Sequence, residues 1–296
     1  MKKFEVNRIL IPIDFSDTAL LALDHAVFMA KLFNAEVTLL HVIETLTYTT
    51  AISDSYPIMD MENSIQKITA EKLDKLAMES FDKLGVPYKT KTIVGRIYVE
   101  IVNVAKEINA DIIIMGTHGV TGIKEFFIGS NAYRVVSESP CPVIVVQSHA
   151  KEIGFKNIVL PIDDSLTSRQ KVNHAIEMAK RYGATLKIAG LVTDEDPLFM
   201  DKFEVKIKQV EDFIQKFDVP YSTKMIKGDN VAKMALNYAY EINADLIIIM
   251  SEQDPEMTGF FMGAFAQQLV NHSKIPVMTV HPDEKLSQAY TFPYWT

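Results

Sequence analysis

Residues 115–130 read MGTHGVTGIKEFFIGS, and three isoleucines at positions 112 to 114 precede them. The apolar run ends at Gly116, further glycines stand at 119, 122 and 129, and Ser130 follows the last of these. An apolar run that stops at a glycine-rich loop and leads into a helix is typical of a strand in a parallel α/β sheet. Because ligands of such sheets bind at the carboxyl ends of the strands, this loop marks a candidate binding site.

The chemistry of the loop favours an anionic ligand. Glycines permit positive φ and let backbone amides approach an anion closely. Gly129 and Ser130 open the next predicted helix, whose free N–H groups and positive dipole end favour a phosphate. The loop is neither a Walker A loop nor a G-x-G-x-x-G motif, since it lacks both patterns. It therefore predicts a polyphosphate cradle, although glycines used only for turns would give the same spacing.

The segments around the loop alternate between predicted strands and helices. Strands are predicted at 8–13, 36–42, 89–94, 111–115 and 142–146, and helices after Ser16 or Asp17, at 64–84, at 97–109 and from about Gly129. Residues 43–62 are polar, contain two methionines and are predicted to be irregular. Since the strands are apolar without alternation, they predict a parallel sheet that helices cover on both faces.

The chain contains an internal repeat. Residues 9–42 align without a gap with residues 158–191, at a constant offset of 149. The segment EINADIIIM at 107–115 is matched by EINADLIIIM at 241–250, and SPCPVIVV at 139–146 by SKIPVMTV at 273–280. The repeat predicts two tandem domains, 1–149 and 150–284, followed by an aromatic tail at 285–296.

Composition excludes several classes of protein. The chain has 296 residues and a formal net charge of −8, which argues against binding to a nucleic-acid backbone. The first fifteen residues contain no long apolar segment, and no apolar run approaches a membrane span, so we expect neither a secretory signal nor a membrane protein. Cys141 is the single cysteine, so an intramolecular disulfide is impossible. A reducing compartment, the cytoplasm, is the expected location.

The loop also resembles a known signature. The loop is similar to the G-x2-G-x9-G-(S/T) motif of the universal stress protein family. Its glycines at 116 and 119 are separated by two residues, and nine residues separate Gly119 from Gly129, which Ser130 follows. The segments IPIDFS, LLHV, the VG at 94–95 and PCPVIVV add to this resemblance, which covers nearly the whole chain. It implies two five-stranded, doubly wound parallel sheets of strand order 3-2-1-4-5, a fold like that of the adenine nucleotide alpha hydrolases. Many members of the family bind ATP at this loop, and others do not.

The resemblance implies a set of ATP-binding residues in the first domain. Asp14 would lie beside the nucleoside, Val42 would read adenine through its backbone, and the glycine loop would hold ribose and phosphates. Mg²⁺ would accompany the ATP. Residues 43–62 would form a lid. The implied residues are Pro12, Ile13, Asp14, Val42, Val94, Gly95, Met115, Gly116, His118, Gly119, Gly129 and Ser130. His118 could contact phosphate or face water.

The second domain departs from the motif. In the alignment above, Ser251 replaces the first glycine, Asp254 stands near the second, and eight residues instead of nine precede Gly263. Ala264 takes the place of the serine, and three acids at 252, 254 and 256 would repel phosphate. We therefore expect that this domain does not bind ATP in the same way; weak binding with the acids in solvent is the alternative.

Three functions are compatible with the sequence. The first is an ATP-binding regulatory protein of the stress response, with little or no hydrolysis because the motif supplies no evident water-activating base. The second is an interaction scaffold that needs no nucleotide and acts through a protein partner of unknown identity. The third is a slow ATP hydrolase or nucleotidyl transferase, although the chain lacks the S-G-G-x-D-S and H-I-G-H motifs of related enzymes.

Two further features bear on assembly. The fifth strands of the two domains are expected to pair with each other inside one chain, which hides an aggregation-prone edge and leaves either a monomer or a homodimer through another face. His25 and His174 recur on the first helix of each domain. A packed histidine is the favoured interpretation, and a ligand is the alternative.

Overall fold

The computed structural model describes residues 4–44, 56–117, 129–251 and 262–283. Each domain alternates strands and helices, as the sequence predicts. The first domain contains β1 (Arg8–Pro12), α1 (Asp17–Phe33), β2 (Glu36–Glu44), α2 (Tyr56–Phe81), β3 (Tyr88–Gly95), α3 (Ile97–Glu107), β4 (Ile112–Gly116), α4 (Ser130–Glu138) and β5 (Val143–Val146). The second contains β6 (Asn157–Ile162), α5 (Val172–Tyr182), β7 (Thr185–Val192), α6 (Pro197–Gln215), β8 (Tyr221–Lys227), α7 (Val231–Glu241), β9 (Leu246–Met250), α8 (Ala264–His272) and β10 (Val277–Val280).

The ten strands form one sheet. Their order is β3-β2-β1-β4-β5-β10-β9-β6-β7-β8, so each domain has the expected order 3-2-1-4-5. All pairs within a domain are parallel. The expected pairing of the two fifth strands is present and antiparallel, with Val145 opposite Val277 and Ile144 opposite Met278.

Helices cover both faces of the sheet, which explains the unbroken apolar strands. In β4, Ile112 and Ile114 belong to the core under one helical layer, whereas Ile113 and Met115 belong to the core under the other. All four side chains are buried. Every position of a central strand is therefore a core position, and alternation of apolar and polar residues would place polar groups in a core.

One predicted segment was wrong. Residues 43–62 were expected to be irregular, but β2 continues to Glu44 and α2 begins at Tyr56, eight residues before the predicted start at Ser64. Residues 45–55 of the expected lid lie outside the described residues. Pro57 is the second residue of the helix, where its missing N–H removes no helical hydrogen bond. The sequence did not predict this part of the helix, because it contains a proline and polar residues and lacks a helical pattern of apolar residues.

The two domains also meet through α1 and α5. The Nε2–H of His25 donates to the Ala150 carbonyl at 3.0 Å, and its ring stacks on Phe155 with centroids 5.6 Å apart. His174 packs on Phe4 with centroids 4.4 Å apart. Each histidine thus contacts the aromatic residue that precedes the first strand of the other domain. The packed interpretation of both histidines is confirmed.

None of the helices in the described part of the chain has the length and hydrophobicity that crossing a membrane would need.

The central position of the β5–β10 pair leads to a prediction for hydrogen exchange. The amides of residues 143–145 and 277–279 are expected to exchange more slowly than those of the edge strands β3 and β8, because opening the centre of the sheet requires global unfolding. Native-state exchange read by mass spectrometry would measure this. Exchange of β5 and β10 at the rate of the edge strands would show that the domains separate in solution.

The burial of His174 leads to a prediction for how the stability of the protein depends on pH. Burial lowers its pKa from 6.5 to about 4, and its Nδ1 has no hydrogen-bond partner among the described residues. The unfolded chain therefore takes up this proton at a higher pH, and the free energy of unfolding is expected to fall as the pH drops from 6.5 towards 4. In a His174→Leu variant, the free energy of unfolding measured with urea should depend less on pH between 6.5 and 4. The exposed His149 supplies the control variant His149→Gln, which should leave the slope unchanged.

Candidate functional site

A cavity of about 350 Å³ lies at the carboxyl ends of β1, β2 and β4. Eight sequence-predicted residues line it: Pro12, Ile13, Asp14, Val42, Met115, Gly116, Gly129 and Ser130. The remaining lining residues are Ala19, Leu40, Glu44, Ile97, Ile101, Thr117, Asn131 and Ala132. The structure thus brings together segments that are more than a hundred residues apart in the chain.

The other four predicted residues are not among the described residues that line the cavity. Val94 and Gly95 end β3, opposite Ile43 and Glu44 of β2, and neither lines the cavity. Val94 is 41% exposed. Glu44 lines the cavity in their place, because β2 extends past its predicted end. His118 and Gly119 lie outside the described residues.

Asp14 is held in place by the residue that caps α1. Its Oδ1 accepts the backbone N–H of Ser16 at 3.0 Å and the Ser16 hydroxyl at 2.6 Å. The same Ser16 oxygen accepts the N–H of Ala19 at 3.3 Å and so caps the helix. The cap therefore fixes one carboxylate oxygen of Asp14 at the cavity wall.

Gly116 and Gly129 are required by close backbone approach. A Cβ on Gly116 would lie 2.9 Å from the carbonyl carbon of Thr18 and 3.0 Å from the amide nitrogen of Ala19. A Cβ on Gly129 would lie 3.0 Å from the carbonyl oxygen of Thr117, which accepts the Gly129 N–H at 2.9 Å. Both glycines thus have a packing role besides lining the cavity.

The amino end of α4 supplies hydrogen-bond donors to the cavity. Gly129 is the N-cap, and the first backbone bond of the helix runs from the Tyr133 N–H to the Gly129 carbonyl. The N–H groups of Ser130, Asn131 and Ala132 precede that bond and have no acceptor within the helix. All three residues line the cavity. This end of the helix is suited to an anion.

The charged side chains around the cavity are acidic. Among the described lining residues, Asp14 and Glu44 are the ionisable ones, and none is a lysine or arginine. An anion would therefore be held by backbone N–H groups, while the carboxylates suit a cation or hydroxyl groups. No cluster of three or more metal-binding side chains occurs within the described ranges.

Several lining residues were missed by sequence reasoning. Asn131 and Ala132 follow Ser130 and could have been inferred from the predicted start of the helix. Ile97 and Ile101 lie one turn apart on α3 and supply an apolar wall. Their spacing indicates a buried helix face, but nothing in the sequence distinguishes a face that packs on the core from one that borders a cavity.

The second domain has a methionine where the first has Gly116. In the sheet, Gly116 stands opposite Val146, and Met250 stands opposite Val280, the corresponding residue of β10. Ser251 corresponds to Thr117, because each donates its backbone N–H to the last residue of the fifth strand. The prediction that Ser251 replaces the first glycine was therefore wrong by one residue, since the alignment had placed an extra residue in β9.

This register also corrects the expected loop length. Met250 to Gly263 spans the same number of residues as Gly116 to Gly129, so the second loop is not shorter. Gly263 again caps a helix, α8, which begins at Ala264. The three acids at 252, 254 and 256 lie outside the described residues.

The start of the first helix differs between the domains. Thr18 and Ala19, which pack on Gly116, correspond to Thr167 and Ser168. Met250, unlike the equivalent Gly116, carries a side chain at the end of its strand. In this domain, residues 164–171 form bends and turns instead of a helix. α5 consequently begins at Val172, six residues later than the equivalent of Asp17.

A buried lysine accompanies this change. Lys171 is only 2% exposed, and its Nζ donates to the Ser168 carbonyl at 2.6 Å. Burial alone would raise the pKa of Asp163, the counterpart of Asp14, but the Lys171 charge and hydrogen bonds from Ser165 and Ser168 outweigh burial and lower it. The positive charge of Lys171 thus favours the ionised form of this carboxylate.

Cys141 is not a candidate nucleophile. It is buried, and burial raises the pKa of its thiol to about 12. A thiol with this pKa is protonated at neutral pH and unreactive.

Comparison with known proteins gives one consistent family. The model of the universal stress protein family matches residues 5–147 and again residues 154–281. A universal stress protein of Methanocaldococcus jannaschii is 36% identical over 153 residues, which cover 48% of this chain and 94% of that protein. Another, of Bacillus subtilis, is 33% identical over 147 residues, which cover 48% of this chain and 99% of that protein.

Solved structures resemble the whole chain. A universal stress protein from Archaeoglobus fulgidus aligns with a TM-score of 0.71 at 21% identity, covering 94% of this chain and 99% of that one. A putative universal stress protein from Pseudomonas aeruginosa has a TM-score of 0.65 at 15% identity, with 95% of each chain covered. At these identities the likeness shows a shared two-domain fold.

The packing of Gly116 leads to a prediction for stability. A Gly116→Ala variant is expected to lower the free energy of unfolding by about 1–3 kcal/mol, because the added methyl group would overlap the backbone of α1. Urea unfolding would measure the loss. The matched control is Met250→Leu at the equivalent position, which conserves volume and should cost less than about 1.5 kcal/mol. Equal costs in the two variants would contradict the close contact at Gly116.

Proposed function

The chain belongs to the universal stress protein family, and from this we propose that its first domain binds ATP in the cavity at the carboxyl ends of β1 and β4. The nucleotide would act as a regulatory ligand in a stress response. Binding would favour one conformation of the chain, which a protein partner could then recognise.

The observation that carries this proposal is the arrangement of donors and acceptors across one cavity. The N–H groups of Ser130 to Ala132, which have no acceptor within α4, lie on one side, and the Asp14 carboxylate lies on another. N–H groups at the start of a helix suit phosphates, and a carboxylate suits the hydroxyl groups of a sugar or a metal ion. The apolar wall of Ile97 and Ile101 offers a surface for a base.

Mg²⁺ fits the same arrangement as a companion of the phosphates. This ion is commonly held by one or two carboxylates together with phosphate oxygens and water. Asp14 and Glu44 are the carboxylates that line the cavity among the described residues. They would complete the coordination of an ion that ATP brings with it, and the ion would neutralise charge on the phosphates.

We further propose that hydrolysis is slow or absent. A hydrolase needs a group that positions or deprotonates the attacking water. One oxygen of Asp14 already accepts two hydrogen bonds from Ser16, and the described lining residues include neither histidine nor lysine. These residues are suited to hold a nucleotide rather than to activate water.

Only the first domain is proposed to bind. Met250 replaces Gly116, Ala264 replaces Ser130, and the buried Lys171 already places a positive charge where it lowers the pKa of Asp163. A phosphate-bound cation beside Asp163 would have to compete with the buried ammonium of Lys171. One nucleotide per chain is therefore the expected stoichiometry.

Native mass spectrometry of the purified chain with Mg-ATP tests this proposal. One ATP per chain is expected. A Gly129→Glu variant should lose it, because the carboxylate would lie at the helix end that holds the phosphates and would repel them. The matched control is Gly263→Glu, which makes the same change at the N-cap of α8 and should leave one ATP bound.

The other outcomes separate the alternatives. Two nucleotides per wild-type chain would contradict the proposed inactivity of the second domain. None at millimolar Mg-ATP would overturn the nucleotide function and favour a scaffold. Measurable turnover that an Asp14→Ala variant abolishes would favour a slow hydrolase.

A further inference from the structure

The turn that presents Asp14 to the cavity contains an unfavourable backbone conformation. Phe15 has a φ of 62°, in the left-handed region that bulky side chains rarely adopt. Such conformations persist only where surrounding contacts hold them, and they concentrate at functional sites. Asp14 and Ser16, on either side of Phe15, form the hydrogen-bonded pair at the cavity wall.

His41 holds this turn from the neighbouring strand. Its Nδ1 lies 2.7 Å from the carbonyl oxygen of Ile13, so Nδ1 carries the proton and donates it. Its ring also packs against the ring of Phe15, with centroids 5.1 Å apart. The histidine thus fixes the peptide that precedes Asp14 and the side chain that follows it.

A second element covers the same phenylalanine. The Nζ of Lys72 on α2 lies 3.8 Å from the centroid of the Phe15 ring. This contact and the His41 ring hold the phenylalanine from two different elements, and both would be lost if Phe15 left its left-handed conformation. The β1–α1 turn is therefore clamped by β2 and α2 together.

The second domain lacks the histidine and the phenylalanine of this clamp, and its turn is instead contacted by Lys206 of α6, which donates to the Asp164 carbonyl at 2.7 Å. Gly190, which stands opposite Ile162 on β7, takes the place of His41, and Asp164 takes the place of Phe15. Asp164 is not among the residues with positive φ. This turn leads into the irregular segment before α5 and not directly into a helix. The histidine contact and the positive φ at this turn are therefore features of the first domain and not of the second.

We propose that His41 is a positioning residue of the nucleotide site, which sets the direction of Asp14 by holding the strained turn at Phe15. This inference rests on the proposed function of the first domain. Without the His41 hydrogen bond, the turn can relax by moving Phe15 out of the left-handed region. Asp14 and the Ser16 cap would then move away from the ligand.

Calorimetric titration of full-length variants with Mg-ATP tests the proposal. His41→Leu removes the donor and should weaken binding about tenfold, as loss of one hydrogen bond to the turn would. His41→Asn places an amide N–H near the position of Nδ1 and should bind within about threefold of the wild type. Phe15→Gly combined with His41→Leu should recover most of the lost affinity, because glycine adopts positive φ without strain.

A matched control separates positioning from general destabilisation. Val37→Ala removes buried side-chain atoms from the same strand without touching the turn. It should lower the melting temperature and leave the affinity unchanged. Should His41→Leu fail to fold, Lys72→Met replaces it, since Lys72 is exposed and its loss should weaken binding about two- to threefold.

The outcomes distinguish this inference from the function on which it rests. If the wild type does not bind Mg-ATP, the proposed function fails and the positioning role fails with it. If the wild type binds and His41→Leu binds equally well, only the positioning role is overturned. A double variant as weak as His41→Leu would also overturn it, because strain at Phe15 would then not explain the loss.

Discussion

The backbone of Gly116 lies so close to Thr18 and Ala19 that the first turn of α1 rests directly on the end of β4. This contact lets α1 begin immediately after the β1 turn, where Ser16 caps the helix and holds Asp14. Where Met250 occupies the same position, the segment before α5 forms turns, and a buried lysine contributes to the lowered pKa of the acid. The two domains thus differ at this strand end and at the start of the helix that follows their first strand.

A second constraint is the sheet that the domains share. The fifth strands pair in antiparallel fashion, which buries the edge that each domain would otherwise expose. The outer edges remain at β3 and β8, where lysines form ion pairs with the following helix: Lys91 with Glu107, and Lys224 with Glu241. Charged residues on an edge strand oppose further strand pairing, so the sheet is expected to end there.

Local patterns predicted most of the fold and part of the site. The unbroken apolar strands indicated a parallel sheet, the repeat indicated two domains, and the glycines indicated the helix start at Ser130, whereas the strand order was implied only by the family resemblance. Prediction failed where local composition was ambiguous. The polar segment before Ser64 proved to be part of a helix, Val94 and Gly95 lie beside the cavity rather than in it, and one extra residue in an apolar run shifted the alignment at Ser251.

The sequence by itself determined the α/β class, the duplication and the position of the glycine-rich loop after β4, because hydrophobic periodicity and glycine positions act over short distances. Tertiary structure alone decided which residues meet. The clamp of His41, Phe15 and Lys72 joins three elements, and the match of Met250 with Gly116 depends on strand register. Neither leaves a local pattern, since strand pairing and helix packing bring together residues that are distant in the chain.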